Sequence, residues 1–228
     1  MAHQRSRLIR ATGDRVVLQL DPPRRCVAST IVGGGVGTVR SWLNLQVPLD
    51  YARTDPVDHL LAESDGLPGP VAATMTAAEV GDVVDVREGR AWVIATVGLS
   101  VPLAAAGDLP PWIGPAPQAL GTINIAAVLD RPLTDAGLVN AVQTLTEAKA
   151  QALAACGIPA LNHDGPATGT ATDSVLVACA GPGDHGVHPR EAAPSDFAGT
   201  ATPIGHDLAV ATHRCITEGV ARWRRRHA

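Results

Sequence analysis

The sequence predicts an α+β fold: a mostly antiparallel or mixed sheet of about eight strands with two long helices packed on it. Three observations predict it. Short β-branched runs fill the first half of the chain, and two long amphipathic helical patterns with matched caps fall in the second half. Strands and helices also fail to alternate, which disfavours a doubly wound parallel sheet.

The strands are read in chain order. Residues 15–20 and 26–32 are two apolar runs separated by Asp21-Pro22-Pro23, a turn signal. Gly33-Gly34-Gly35 breaks the pattern, and residues 36–47 form the next strand, carrying Trp42 and Asn44. His59-Leu60-Leu61, in a Pro-bounded stretch, reads as a short helix, and residues 71–77, 83–86 and 91–99 read as three more strands. The Ala/Gly/Pro-rich segment 102–118 exceeds a tight turn and has the length of loops that serve a site. A strand pattern resumes at once over 121–129, so this segment is not a domain linker, and one domain is expected over 12–226.

The helices announce themselves by their ends. Thr134 or Asp135 caps a helix running to about Cys156, with Gly157 as its stop and Pro159 beyond. Leu138, Val142, Leu145, Ala152, Leu153 and Cys156 share one face, which should pack on the sheet. Residues 173–180 read as a buried strand. Thr202 as N-cap and Pro203 at the first helical position open the last helix, with Ile204, Leu208, Ala211, Cys215 and Trp223 on one side.

Composition narrows the function classes. The 228 residues carry a net charge of −4, which argues against nucleic acid as a partner because phosphate binding needs concentrated cation. The basic cluster Arg222, Arg224, Arg225 and Arg226 sits at a helix C-terminus, where cations complement the dipole. Cys26, Cys156, Cys179 and Cys215 are widely spaced, with no metal-binding pattern, and lie among apolar neighbours. Free buried cysteines fit a reducing compartment. Residues 1–10 hold Arg5, Arg7 and Arg10 and no apolar signal core, and no apolar run reaches membrane-spanning length. The expectation is a cytoplasmic protein with neither membrane nor nucleic acid as partner.

The candidates for chemistry come next. Lys149 falls close to the centre of its helix's apolar stripe, where a lysine must snorkel, pair with an acid or lose its proton. Glu147, two residues away, points to the opposite face. Asp173 opens a buried strand directly after the turn 168–172, either as a catalytic or orienting acid or as the cap of its own turn. Lys149 is expected to pair with Asp173, since the long helix should pack over that strand. Thr122 and Asn124 share one side of their strand and could hold an amide or an oxyanion, or equally satisfy loop backbone. Gly33-Gly34-Gly35 lacks the ending of a P-loop and the spacing of a dinucleotide fingerprint. Asp184, His185, His188, His163 and Asp164 read as solvated loop residues, and no metal site is expected. Gly169-Thr-Ala-Thr172 recurs as Gly199-Thr-Ala-Thr202, glycine turns bearing hydroxyls beside a strand or helix end.

Six strings in order carry a resemblance: Met-Thr-Ala-Ala at 75–78, Gly-Leu-Ser at 98–100, Gly-Thr-Ile-Asn-Ile at 121–125, Thr-Glu-Ala-Lys-Ala at 146–150, Thr-Gly-Thr-Ala-Thr-Asp at 168–173, and Ala-Gly-Thr-Ala-Thr-Pro-Ile-Gly at 198–205. Together they resemble the adenosylcobinamide amidohydrolases of corrinoid salvage from about residue 71 to the last helix; earlier, only Gly33–Gly35, Asn44 and Val47 resemble it, more loosely. The resemblance implies hydrolysis of the amide joining a corrin-ring propionate to aminopropanol, giving adenosylcobyric acid. The chemistry of amide hydrolysis then makes Glu147, Lys149 and Asp173 the catalytic candidates, with Asp173 or Glu147 activating water and Lys149 stabilising charge or protonating the amine. It leaves Asn44, Thr122, Asn124, Gly169, Thr170, Thr172, Gly199, Thr200 and Thr202 as substrate-binding ones. A threonine nucleophile would need an adjacent base. No cofactor is implied beyond the cobalt corrinoid, which is the substrate. The alternatives are a corrinoid-binding module without catalysis, or an amidohydrolase acting on another corrinoid or amide.

Overall fold

The computed structural model describes residues 7–9, 13–110, 121–181 and 193–228. Arg5 and Arg10, residues 111–118 of the long loop, and Asp184, His185 and His188 lie outside the described residues.

Ten strands and three α-helices are described: β1 (Arg7–Ile9), β2 (Arg15–Ala28), β3 (Gly35–Gln46), α1 (Pro56–Glu63), β4 (Val71–Thr76), β5 (Val84–Glu88), β6 (Ala91–Val97), β7 (Pro102–Leu103), β8 (Ile123–Leu129), α2 (Asp135–Ala155), β9 (Gly169–Thr170), β10 (Ser174–Cys179) and α3 (Pro203–His227). The main sheet has eight strands in the order β4-β3-β2-β10-β8-β6-β5, with β1 also on β2, and β7 pairs with β9 as a separate ribbon. The sheet is mixed. Its two parallel pairs are β3 with β4 and β8 with β10. These are the neighbours joined through a helix, α1 and α2 respectively, as a parallel crossover requires.

One expected break is absent. Residues 20–23, with Asp21-Pro22-Pro23, do not separate two strands but stand opposite Arg40 as an irregularity inside β2, because pairing with β3 resumes at Arg24 with Val39. Proline is tolerated at such a bulge, where no ladder donor is needed. The helix ends follow the sequence. The Thr134 and Thr202 side chains accept from Gly137 N and Gly205 N, Pro203 opens α3, and Gly157 past α2 has φ +63°.

The long helices cover one face. Leu138, Leu145, Ala152, Leu153, Leu208, Cys215 and Ile216 pack with Val93, Ala95, Ile125, Ala127 and Val177 in one core. The opposite face is closed by the sheet itself: Leu18, Cys26 and Trp42 of β2 and β3 share a second core with Ile94, Ala126, Val128 and Leu176 of β6, β8 and β10. The sheet therefore curls until β4 meets β8. Both faces of β6 and β8 are covered, and every residue of these two strands is buried. Among the described residues no helix is long and apolar enough to cross a membrane.

Candidate functional site

The curl brings polar side chains into the core at one end of the sheet. Asn44 Nδ2 on β3 donates to Thr96 Oγ1 on β6 at 2.8 Å, and Asn124 Nδ2 on β8 donates to Asn44 Oδ1 and to the Met75 carbonyl of β4, both at 2.8 Å. Asn44, Thr96 and Asn124 are 0% exposed and Thr122 is 2%. Buried amides in a network of this kind rigidify the strands that carry them. Thr122 links the network outward by donating to the Thr172 carbonyl at 2.9 Å.

Beyond that carbonyl lies the charged centre. Lys149 Nζ from α2 donates to Asp173 Oδ2, an ion pair whose side chains are 8% and 13% exposed. Asp173 Oδ1 receives three further donors: Thr170 Oγ1, Thr170 N at 3.2 Å and Ile123 N at 3.1 Å. A buried ammonium needs such a partner, and a buried carboxylate needs its lone pairs filled. The turn carrying these groups is tied down on its other side. Pro102 and Leu103 of β7 pair with Thr170 and Gly169 of β9, and Ala105 N donates to Thr168 Oγ1 at 2.9 Å. Thr170 is half-buried, whereas Ala171 and Thr172 are exposed, so the pair lies under a turn whose outer residues meet solvent.

Gly169 is fixed by the pair. A Cβ there would lie 2.5 Å from Asp173 Oδ2 and 2.7 Å from Lys149 Nζ. Gly169→Ala is therefore expected to push the ammonium and carboxylate apart, with about 1–3 kcal/mol lost, as overpacking costs, and turnover reduced at least about tenfold. Urea unfolding and initial rates of that variant check it; unchanged values in both would mean that the pair tolerates a different geometry.

The other candidates fall elsewhere. Glu147 is exposed on α2 and accepts from Gln143 Nε2 at 3.1 Å, away from the Lys149 face. The second Gly-Thr turn does not join the first. Ala198 N donates to Asn140 Oδ1 and Thr144 Oγ1 donates to Ala198 O, both at 2.9 Å, which sets this turn nearer the start of α2. At 1.5 Å per residue, Asn140 is roughly 13 Å along the helix from Lys149. Thr202 caps α3 and donates to Gly199 O at 2.8 Å, while Thr200 is exposed. His163 and Asp164 are exposed. Among the described residues no three His, Cys, Asp or Glu side chains group as metal ligands. None of the four cysteines forms a disulfide, and burial pushes the Cys26 thiol up to about 11 and the Cys215 thiol up to about 12, which leaves these two protonated and poor nucleophiles.

Sequence reasoning did not find Thr96. A threonine in an otherwise apolar strand gives no sign, and only its pairing opposite Asn124 places it beside Asn44. Ser174 was missed as well: it is buried next to Asp173, and its hydroxyl has no hydrogen-bond partner among the described residues.

The family profile described as adenosylcobinamide amidohydrolase matches residues 2–228. The chain belongs to that family. An adenosylcobinamide amidohydrolase of Halobacterium salinarum is 35% identical over 90% of this chain and 82% of its own length. One of Methanosarcina mazei is 27% identical over 84% of this chain and 88% of its own. An uncharacterized protein of Methanocaldococcus jannaschii is 33% identical over 46% of this chain and 38% of its own. The family strings acquire a location from the fold. Met75, Gly98 through its bond to Thr122 O, Asn124, Lys149 and Asp173 converge on one end of the sheet, and the string from Ala198 alone lies apart, beside Asn140 and Thr144.

Proposed function

We propose that this protein hydrolyses the amide joining a corrin-ring propionate to aminopropanol in adenosylcobinamide, releasing adenosylcobyric acid and 1-aminopropan-2-ol. The observation that carries the reading is the largely buried Lys149–Asp173 pair, set under a turn whose Ala171 and Thr172 are exposed. Amide hydrolysis needs an acceptor for the nucleophile's proton and a donor for the leaving amine. Asp173 takes the first proton and returns it to the amine, and Lys149 holds the carboxylate in place and offsets charge during the transfer.

The surrounding residues divide by position. Thr170 and Thr172, with the side-chain-free backbone of Gly169 between β7 and the ion pair, meet the substrate at the open side. Asn44, Thr122 and Asn124 act from beneath, fixing the strand ends that carry Ile123 N and the Thr172 carbonyl. Gly199, Thr200 and Thr202 set the start of α3 against α2. The reading calls on no cofactor other than the cobalt corrinoid, which is the substrate. It places the enzyme in the cytoplasm, a compartment to which cysteines outside disulfides are suited.

Incubation of the purified protein with adenosylcobinamide is expected to release adenosylcobyric acid, resolved by chromatography. Bound corrinoid without product would instead make the protein a binding module. Rates on adenosylcobinamide and adenosylcobalamin, measured side by side, give the preference. In the same assay Glu147→Gln is expected to keep turnover within about twofold, because an exposed group away from the reacting atoms contributes little. A large loss in that variant would bring Glu147 back as the base.

A further inference from the structure

We propose that the Thr170 hydroxyl is the nucleophile of the reaction and that hydrolysis passes through an ester between Thr170 and the corrin propionate. The inference rests on the amidohydrolase reading and adds the identity of the attacking atom.

Three observations carry it. First, a hydroxyl is activated only by a base within hydrogen-bond reach, and Thr170 Oγ1 donates to Asp173 Oδ1. Second, that base is itself oriented by a third group, since Asp173 Oδ2 receives Lys149 Nζ. Nucleophile, base and orienting cation thus form one chain, Thr170–Asp173–Lys149, the arrangement by which activated nucleophiles are recognised. Third, the hydroxyl is held on two sides. Thr170 N donates to the same carboxylate oxygen at 3.2 Å, and Thr170 pairs with Pro102 across the β7–β9 ribbon. Of the other two threonines of this turn, Thr168 accepts from Ala105 N through its hydroxyl, and Thr172 is exposed and offers its carbonyl to Thr122.

The step balances within these groups. The Thr170 Oγ lone pair attacks the amide carbon as the hydroxyl proton passes to Asp173 Oδ1, and the carbonyl π electrons move onto oxygen. When the tetrahedral adduct collapses, the C–N bond breaks and its electron pair goes to nitrogen. The amine takes the proton from Asp173 and leaves as 1-aminopropan-2-ol. Water then attacks the ester carbon, giving a proton to Asp173; the C–Oγ bond breaks, Thr170 Oγ takes that proton, and the carboxylic acid departs. Asp173 ends as it began.

The Thr170 side chain also fastens its own turn, so loss of activity in one variant does not by itself identify a nucleophile. The test therefore begins with the wild-type enzyme, mixed with adenosylcobinamide and hydroxylamine. An ester intermediate partitions, so a cobyric hydroxamate should form at the expense of cobyric acid without slowing aminopropanol release, and acid-quenched protein should carry the corrinyl mass on the peptide containing Thr170. Thr170→Ser is expected to retain turnover within about a hundredfold, and Thr170→Ala to lose about a thousandfold or more, as removal of a nucleophile does. Aminopropanol release with no hydroxamate and no adduct, or Thr170→Ala within about tenfold of wild type, would overturn the nucleophile and leave the amidohydrolase reading standing, with water attacking directly. No aminopropanol release by the wild-type protein would overturn both.

Discussion

Lys149→Met is expected to cut kcat at least about a hundredfold while the protein still folds and KM changes little. The side chain lies on the buried face of α2 among Leu145, Ala152 and Leu153, so methionine replaces its stem without opening a cavity. What methionine removes is the cation on Asp173 Oδ2. The carboxylate keeps its three donors on Oδ1, but nothing then fixes Oδ2 or offsets charge as a proton moves. Lys149→Ala should match the loss in kcat and be less stable than Lys149→Met by about 2–5 kcal/mol, because both strand the carboxylate but only alanine empties the stem's volume. The split between the two variants is the informative result. Equal stability loss would mean that the stem does no packing, and wild-type turnover in Lys149→Met would reduce the ammonium to a structural partner. A fall in kcat without a rise in KM separates positioning of the reacting groups from loss of substrate contacts.

The ion pair was legible in the sequence because it violates a local rule. Lysine on an apolar stripe demands an explanation, and the only acid placed at the start of a strand under that helix was Asp173. The helix ends were legible for a similar reason: Thr134, Thr202, Pro203 and Gly157 each satisfy a requirement of helix termini that depends on a few neighbouring residues. The separation of Glu147 from Lys149 followed from helix geometry alone.

What stayed illegible depends on distant pairing. Asp21-Pro22-Pro23 carries a turn's chemistry, yet β3 runs unbroken opposite it and holds both flanks in one strand. The β7–β9 ribbon is two residues wide on each side, too short for any periodicity. The curl of the sheet decides that Asn44 and Asn124, eighty positions apart, share hydrogen bonds; neither residue's own strand shows that the other lies opposite it. The repeated Gly-Thr-Ala-Thr string shows the limit in another way. One copy serves a carboxylate beside Lys149, whereas the other caps a helix beside Asn140, so identical local chemistry was put to different tertiary uses.

Asp173→Asn is expected to have the largest effect, about 10²–10⁴-fold on kcat, together with a loss of about 1–3 kcal/mol in stability. A carboxylate offers two acceptor oxygens, whereas a carboxamide offers one oxygen and an NH₂ that can only donate. If the amide oxygen takes the place of Oδ1, it satisfies Ile123 N, Thr170 N and Thr170 Oγ1, but the NH₂ then faces the Lys149 ammonium. If the amide is turned, the NH₂ faces two backbone N–H groups instead. Either way donor meets donor at a largely buried position, and no group remains to take a proton from Thr170. Combining Asp173→Asn with Lys149→Met removes the stranded ammonium, so the double variant should be more stable than the sum of the two single losses predicts, while activity stays at the floor. Urea unfolding of the four proteins in that cycle, alongside single-turnover rates, measures both quantities. Strictly additive stability losses would show that the two charges do not interact energetically, and a double variant with near-wild-type turnover would remove both residues from the chemistry.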